Sequence, residues 1–206
     1  MHNQKYLISI YSDLTLLSHI VWGGVRFSPD TVYLCRYIIV IDTDEVIVPR
    51  TAENYSALMT VLDRQRNVPG VAGFTYVFLN VYFLLDFEQD TTRPYYLRTM
   101  RYRYRVRPKS YGYAPKSIVD PRQCSVLFNH YCARYLVRPA SRKLRRTHHV
   151  PFATAASHHY RRCARFYAFT CDQLFAEKTR DDVMLRFERL MKARVQPILR
   201  RLRVLR

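Results

Sequence analysis

Apolar and β-branched residues concentrate between Tyr37 and Val48, where Tyr37-Ile38-Ile39-Val40-Ile41 runs without a polar interruption. A run of that length and composition predicts a central strand buried on both faces. It leads directly into Asp42-Thr43-Asp44-Glu45; Val46-Ile47-Val48 then resumes extended structure, and Pro49 ends it. Downstream, Tyr55, Leu58, Met59 and Leu62 recur at helical spacing. They predict a helix over 54–64, with Glu53 or Asn54 as its cap. Residues 73–84 read as aromatic and strand-like. Arg98 to Arg107 alternates, with Tyr102, Tyr104 and Val106 on one face and arginines on the other, the pattern of a half-buried strand. Ser117–Val119 and Ser125–Phe128 are further short strands. The clearest helix lies over 181–205. There Val183, Phe187, Leu190, Met191, Val195, Ile198 and Leu202 form an apolar stripe, interrupted near Pro197. The expectation is that this stripe packs on the domain and leaves the arginines in solvent. Two acidic residues at its start and arginines at its end suit the helix dipole. Tyr6–Tyr11 is a short strand or a helix end, and 14–35, with turn signals at Gly23-Gly24 and Ser28-Pro29-Asp30, reads as irregular. The whole is an α/β pattern with a mixed sheet.

Composition narrows the classes. A chain of 206 residues that is 49% hydrophobic builds one sizeable core, which excludes wholesale disorder. The net charge of +18 is unevenly placed: residues 1–133 carry 15 basic and 11 acidic side chains, residues 134–206 carry 19 and 5. Such an excess attracts polyanions without saying which. Of the five cysteines none forms a C-x-x-C pair, which argues against a zinc site. Cys124/Cys132 and Cys163/Cys171 read either as local disulfides or as buried thiols. The apolar stretch over 14–25 is well short of the ~20 residues a membrane span needs, and no signal-peptide pattern opens the chain.

The acidic cluster carries the chemistry. A buried strand ending in two carboxylates places them at the C-terminal edge of a sheet, where α/β proteins keep their ligand crevices. In an extended chain Asp42 and Asp44 share a face. Paired carboxylates are hard oxygen ligands for Mn²⁺ or Mg²⁺, and such an ion stabilises a departing diphosphate.

The block Ile41-Asp42-Thr43-Asp44-Glu45-Val46-Ile47-Val48-Pro49-Arg50 resembles the D-x-D-E-F-I-V-P-R signature of glycosyltransferase family 92. Asn54-Tyr55, Lys116-Ser117-Ile118-Val119-Asp120-Pro121, His130-Tyr131 and His159-Tyr160-Arg161 follow in the family's order, so the resemblance covers roughly residues 37–161. It implies a GT-A-like fold and inverting transfer of a hexose, galactose above all, from a nucleotide sugar such as UDP-hexose to a glycan acceptor. It further implies a divalent metal and a Golgi or other secretory-pathway membrane, reached through an N-terminal anchor. Carried over residue by residue, Asp42, Asp44 and His159 are the metal ligands, and Glu45, His130 and Arg161 meet substrate. The catalytic base is unassigned, with Asp86 and Glu88 as weak candidates. Only 41 residues precede Asp42. The expectation is therefore a sheet incomplete at its N-terminus, with 1–36 a remnant or irregular segment, 37–165 the glycosyltransferase core and 166–206 a basic helical segment. A chain so shortened is expected to bind UDP-sugars poorly.

Two other readings compete. Tyr95 to Lys116 interleaves tyrosines with basic residues, as a nucleic-acid-binding surface does, but no RRM, KH or helix-turn-helix pattern accompanies it and the acidic cluster opposes it. No specific nucleic-acid partner is expected. A non-catalytic remnant that keeps the fold is the other alternative.

Overall fold

The computed structural model describes residues 6–10, 20–21, 24–26, 36–66, 75–108, 114–128, 130–136, 147–163 and 170–204. In chain order the strands are β1 (Tyr6–Ile10), β2 (Ile20–Val21), β3 (Gly24–Arg26), β4 (Ile38–Asp42), β5 (Glu45–Pro49), β6 (Thr75–Phe78) and β7 (Asn80–Leu84). They continue with β8 (Tyr104–Arg105), β9 (Lys116–Val119), β10 (Cys124–Leu127), β11 (Cys132–Tyr135), β12 (Thr147–Val150), β13 (Ala155–Arg161) and β14 (Thr179–Arg180). The helices are α1 (Tyr55–Arg66), α2 (Arg98–Arg101), α3 (Cys171–Ala176) and α4 (Glu188–Arg201). The chain divides into two compact units, one of residues 1–80 and 109–158, the other of 81–108 and 159–206.

The first unit is built on a mixed sheet in the order β1-β4-β9-β6-β12. Neighbours are antiparallel except β12 and β6, which run parallel. The expected strand over 37–41 is β4, and it is buried on both faces. Tyr37 and Ile39 face a core with Ile47, Leu58, Leu62, Tyr76 and Phe78. Ile38 and Val40 face a second core with Val119, Leu127 and the Cys124–Cys132 pair. The first core exists because α1 lays Leu58 and Leu62 on the sheet. Its start is set by Asn54, whose side-chain oxygen accepts from the Ala57 N–H at 2.9 Å. Asp63, on the same helix, gathers the Tyr37 and Tyr76 hydroxyls and the Arg36 guanidinium. Burial and the Asp63 carboxylate push the Tyr37 phenol up to about 12. The short sheet β11-β10-β3-β2 belongs to this unit, so two strands lie within the stretch expected to be irregular. The rest of 14–35 is outside the described residues. β1 settles the ambiguity at Tyr6–Tyr11 in favour of a strand, paired to β4 with Tyr6 opposite Asp42.

The second unit packs Tyr82, Leu84, Phe87, Val106 and Leu174 together. Here the expected strand over 98–107 differs. Arg98–Arg101 is helical and only Tyr104–Arg105 is strand, paired to β14. The reason is that Leu97 and Met100 are both buried, three residues apart, a spacing a helical turn satisfies and a strand does not. Arg98 and Arg107 are exposed, but Arg101, Arg103 and Arg105 are partly buried. Arg103 makes a two-pronged pair with Asp182 at 2.6 and 2.8 Å, and Arg105 reaches Asp181 at 2.7 Å. The Arg103 guanidinium holds the Asp182 carboxyl below its usual value. α3 opens with a capping box between Thr170 and Gln173.

The C-terminal helix also departs from expectation. A 3₁₀ turn over Val183–Phe187 precedes α4. Val195 and Leu199 are partly covered, and Glu188 and Gln196 anchor the helix through Arg93 and the Tyr96 hydroxyl. Leu190, Met191, Ile198 and Leu202 are exposed. The stripe read from the sequence thus splits between two faces, because the helix docks through a mixed polar and apolar side.

Both cysteine pairs are bonded, Cys124–Cys132 in the first unit and Cys163–Cys171 in the second. Peptide mapping without reductant should recover both cross-linked peptides; unlinked peptides from native protein would contradict the structure. Leu58→Ala removes a fully buried side chain from the α1–sheet interface and should cost about 2–5 kcal/mol in urea unfolding.

Candidate functional site

The acidic motif is a tight turn. β4 ends at Asp42, Thr43 and Asp44 form the turn, and β5 begins at Glu45. Both aspartates therefore sit at the C-terminal end of a buried strand, as expected, though across a turn rather than along one extended face. Asp42 is half-buried, Asp44 is exposed and Glu45 is buried. The Asp42 N–H donates to Glu45 Oε2 at 3.1 Å, which closes the turn.

Lys116 locks this arrangement. It starts β9, which pairs with β4 through Ile38 opposite Val119 and Ile39 opposite Ile118. Continued by two residues, that register brings Lys116 alongside Ile41. Its side chain is fully buried, and Nζ donates to Asp42 Oδ2 at 3.0 Å and to Glu45 Oε2 at 2.6 Å. A buried ammonium is costly unless it is paired, so two carboxylates hold it and it holds them. The turn thus gathers three carboxylates, and the Lys116 ammonium lies against two of them. In the sequence Lys116 stands out only as the first residue of the Lys116–Pro121 motif. The signal that marks it is a lysine heading an apolar strand, since lysine is rarely buried without a partner.

The neighbouring segments are organised around the same corner. Ser117 donates through its hydroxyl to the His130 carbonyl at 2.6 Å. His130 Nδ1 lies 2.9 Å from the Pro115 carbonyl, an acceptor only, so Nδ1 carries the proton and Nε2 is left as the acceptor. Burial, and then the Lys116 charge, hold the His130 imidazole below its ordinary value. It is neutral near pH 7. Asp120 is buried and takes both prongs of Arg122 at 2.8 and 2.7 Å. Arg50 lies over the Phe152 ring, 4.2 Å from its centroid. A cleft of about 390 Å³ runs between β4 and α1, bounded by Tyr37, Ile39, Ile41, Tyr55, Met59 and Asp63, and so reaches the residue before Asp42.

The remaining expected site residues belong to the second unit. His159 is buried, with its ring 5.3 Å from that of Tyr82. Tyr160 stacks on Phe83 at 5.0 Å, and burial raises its hydroxyl well above the ordinary phenol value. Arg161 is partly buried, and its carbonyl accepts from the Leu85 N–H. Asp86 Oδ2 accepts from the Cys163 N–H at 2.5 Å. Glu88 pairs with Lys178, whose hydrogen bond holds its carboxyl below the usual range. Among the described residues, no group of three or more His, Cys, Asp and Glu side chains is placed to hold a metal ion. The first unit still offers the donor set that Mg²⁺ uses in nucleotide sites, one or two carboxylates with the other positions left to substrate phosphates and water.

Removing the lysine tests the lock. Lys116→Met should lower stability by about 3–5 kcal/mol, because Glu45 and Asp42 would lose the buried ammonium that faces both carboxylates. Adding Glu45→Gln to that variant should recover part of the loss; equal stability of Lys116→Met and wild type would refute the pairing. The histidine makes a second test. Since the folded-state pKa of His130 is lowered, the unfolded chain binds more protons just below pH 6.5, and stability falls as pH drops through that value. His148 shifts in the same direction, by burial and then by His149. His130→Gln should therefore flatten the pH dependence of the melting temperature just below pH 6.5 only in part.

Comparison with curated proteins returns no match. The sequence model of glycosyltransferase family 92 matches residues 30–203, a span that holds the acidic turn, the Lys116 strand, His130, β13 and α4. With that match over most of its length, and with the signature turn seated at the end of a buried strand, this chain belongs to glycosyltransferase family 92.

Proposed function

We propose that the protein transfers a hexose, galactose in the first instance, from a nucleotide sugar such as UDP-hexose to a glycan acceptor with inversion at the anomeric carbon, and that the transfer depends on Mn²⁺ or Mg²⁺. The observation that carries the proposal is the Asp42–Asp44 turn with its buried counter-ion. Asp44 is the direct ligand, exposed at the tip of the turn. Asp42 stands behind it with one oxygen committed to Lys116. Carboxylate oxygens are the hard ligands that Mn²⁺ and Mg²⁺ prefer. The ion, when bound, neutralises the diphosphate that leaves as the sugar is transferred.

The chain's own residues then have defined tasks. Lys116 and Glu45 keep the turn from splaying, which fixes where the two aspartates present their oxygens. Glu45, buried and paired, supports the site from behind. The resemblance implies that Glu45 also meets substrate. His130 presents an acceptor nitrogen of fixed tautomer, suited to a sugar or ribose hydroxyl. The reading rests on residues of the first unit alone. Two disulfides in one chain suit an oxidising compartment, in keeping with work in the Golgi or elsewhere in the secretory pathway. Among the described residues no helix is long and apolar enough to cross a membrane.

Titration of Mn²⁺ into wild type and Asp44→Asn, followed by calorimetry or by the relaxation of water protons, tests the metal. Binding should weaken on the order of tenfold or more when one of two carboxylate ligands loses its charge. Indistinguishable binding by the two proteins would sink the assignment of Asp44.

A further inference from the structure

Half of the large apolar side chains that are exposed among the described residues fall in the last helical segment: Leu190, Met191, Ile198, Leu202 and Val204. Their placement is not random. At 100° per residue, Met191, Ile198 and Leu202 fall within one narrow arc of α4 and its last turn, spaced by seven and four residues. Ile198 and Leu202 are 58% and 66% exposed. Arg194 and Arg201 lie immediately beside that arc, and Leu190 lies on their far side. On its other side the arc adjoins the face with Val195, Glu188, Leu199, Lys192 and Gln196, which is the one already engaged within the second unit. The outward face thus combines unpartnered apolar side chains with cations.

Charge selects the occupant. Residues 188–204 carry Arg189, Lys192, Arg194, Arg200, Arg201 and Arg203 against Glu188 alone. Glu188 is committed to Arg93 and Lys192. A second copy of this chain would set one such cationic face against another and would be repelled. An anionic lipid surface meets both requirements at once: its acyl boundary takes up the apolar arc, and its headgroups neutralise the arginines that flank it. Arginine stems also lie along the apolar surface while their guanidinium groups reach the headgroups.

We propose that α4 is an interfacial helix that docks the protein on an anionic membrane surface, with Met191, Ile198 and Leu202 entering the headgroup boundary and Arg194 and Arg201 contacting acidic lipids. This role is separate from the acidic turn and does not require the transfer reaction.

Co-sedimentation with vesicles tests it, using phosphatidylcholine alone and phosphatidylcholine with about a third phosphatidylserine, at low salt and at 0.5 M KCl. Wild type should sediment with the acidic vesicles, weakly with the neutral ones, and should keep a measurable part of its binding in high salt. The double variant Ile198→Ser/Leu202→Ser keeps the charge and changes only exposed side chains. It should bind acidic vesicles on the order of tenfold more weakly at low salt and not at all at high salt. Arg194→Gln/Arg201→Gln should lose the preference for acidic lipid. Metal binding at Asp44 should be the same in all of these variants. Equal vesicle binding by wild type and the serine variant would overturn the proposal and leave only non-specific attraction by a basic chain. So would a wild type that ignores vesicles, or one that sediments as a dimer which the serine variant dissolves.

Discussion

A single buried ammonium organises the first unit. Lys116 has no exposed surface, and an unpaired cation there would be untenable. Its two carboxylate partners come from the end of β4 and the start of β5, so satisfying the lysine joins β9 to the turn that carries the acidic signature. The Asp42 N–H to Glu45 bond then follows, because Glu45 is already held in place. The cost of burying these charges is offset by their mutual pairing, which ties the turn geometry to the position of Lys116. Ser117 extends the same corner to the His130 backbone, and Pro115 fixes the imidazole tautomer.

That constraint explains why a glycosyltransferase motif needs its non-acidic neighbours. Two aspartates at a strand end would repel each other and any third carboxylate. The lysine, paired with Asp42 and Glu45, offsets part of that repulsion. The β-branched run before the motif supplies rigidity: Ile38, Ile39 and Val40 are packed into cores on both faces of the sheet, so the turn projects from a fixed base. Family 92 membership and this geometry support one another, since the matched region includes every residue of the lock.

Charge is used in opposite ways elsewhere. In the second unit Arg103, Arg105 and Arg180 pair with Asp181 and Asp182, so part of what looks in the sequence like a free basic surface is committed to ion pairs. This weighs against reading the tyrosine- and arginine-rich stretch as a nucleic-acid platform. The cations of α4 remain outward, beside apolar side chains that its docking face leaves uncovered.

Local pattern determined much of this protein. The buried strand at 38–42, the Asn54-capped helix, the placement of the acidic motif at a strand end and the family itself were all legible, because each depends on near neighbours in the chain. Long-range pairings were not. Nothing in the spacing tells Lys116 to meet Asp42, 74 residues away, or Arg103 to meet Asp182. Periodicity could not decide which side of α4 packs, since both sides carry apolar residues and the choice fell to Arg93 and Tyr96. Nor could alternation distinguish a strand from a helical turn at Arg98–Arg101, where burial of Leu97 and Met100 prevailed. Spacing left the cysteines open; only the fold brought Cys124 beside Cys132 across a hairpin, with their Cα atoms 5.9 Å apart. Tertiary structure decided these points because desolvated charge and close packing are satisfied by partners in space, whatever their distance in sequence.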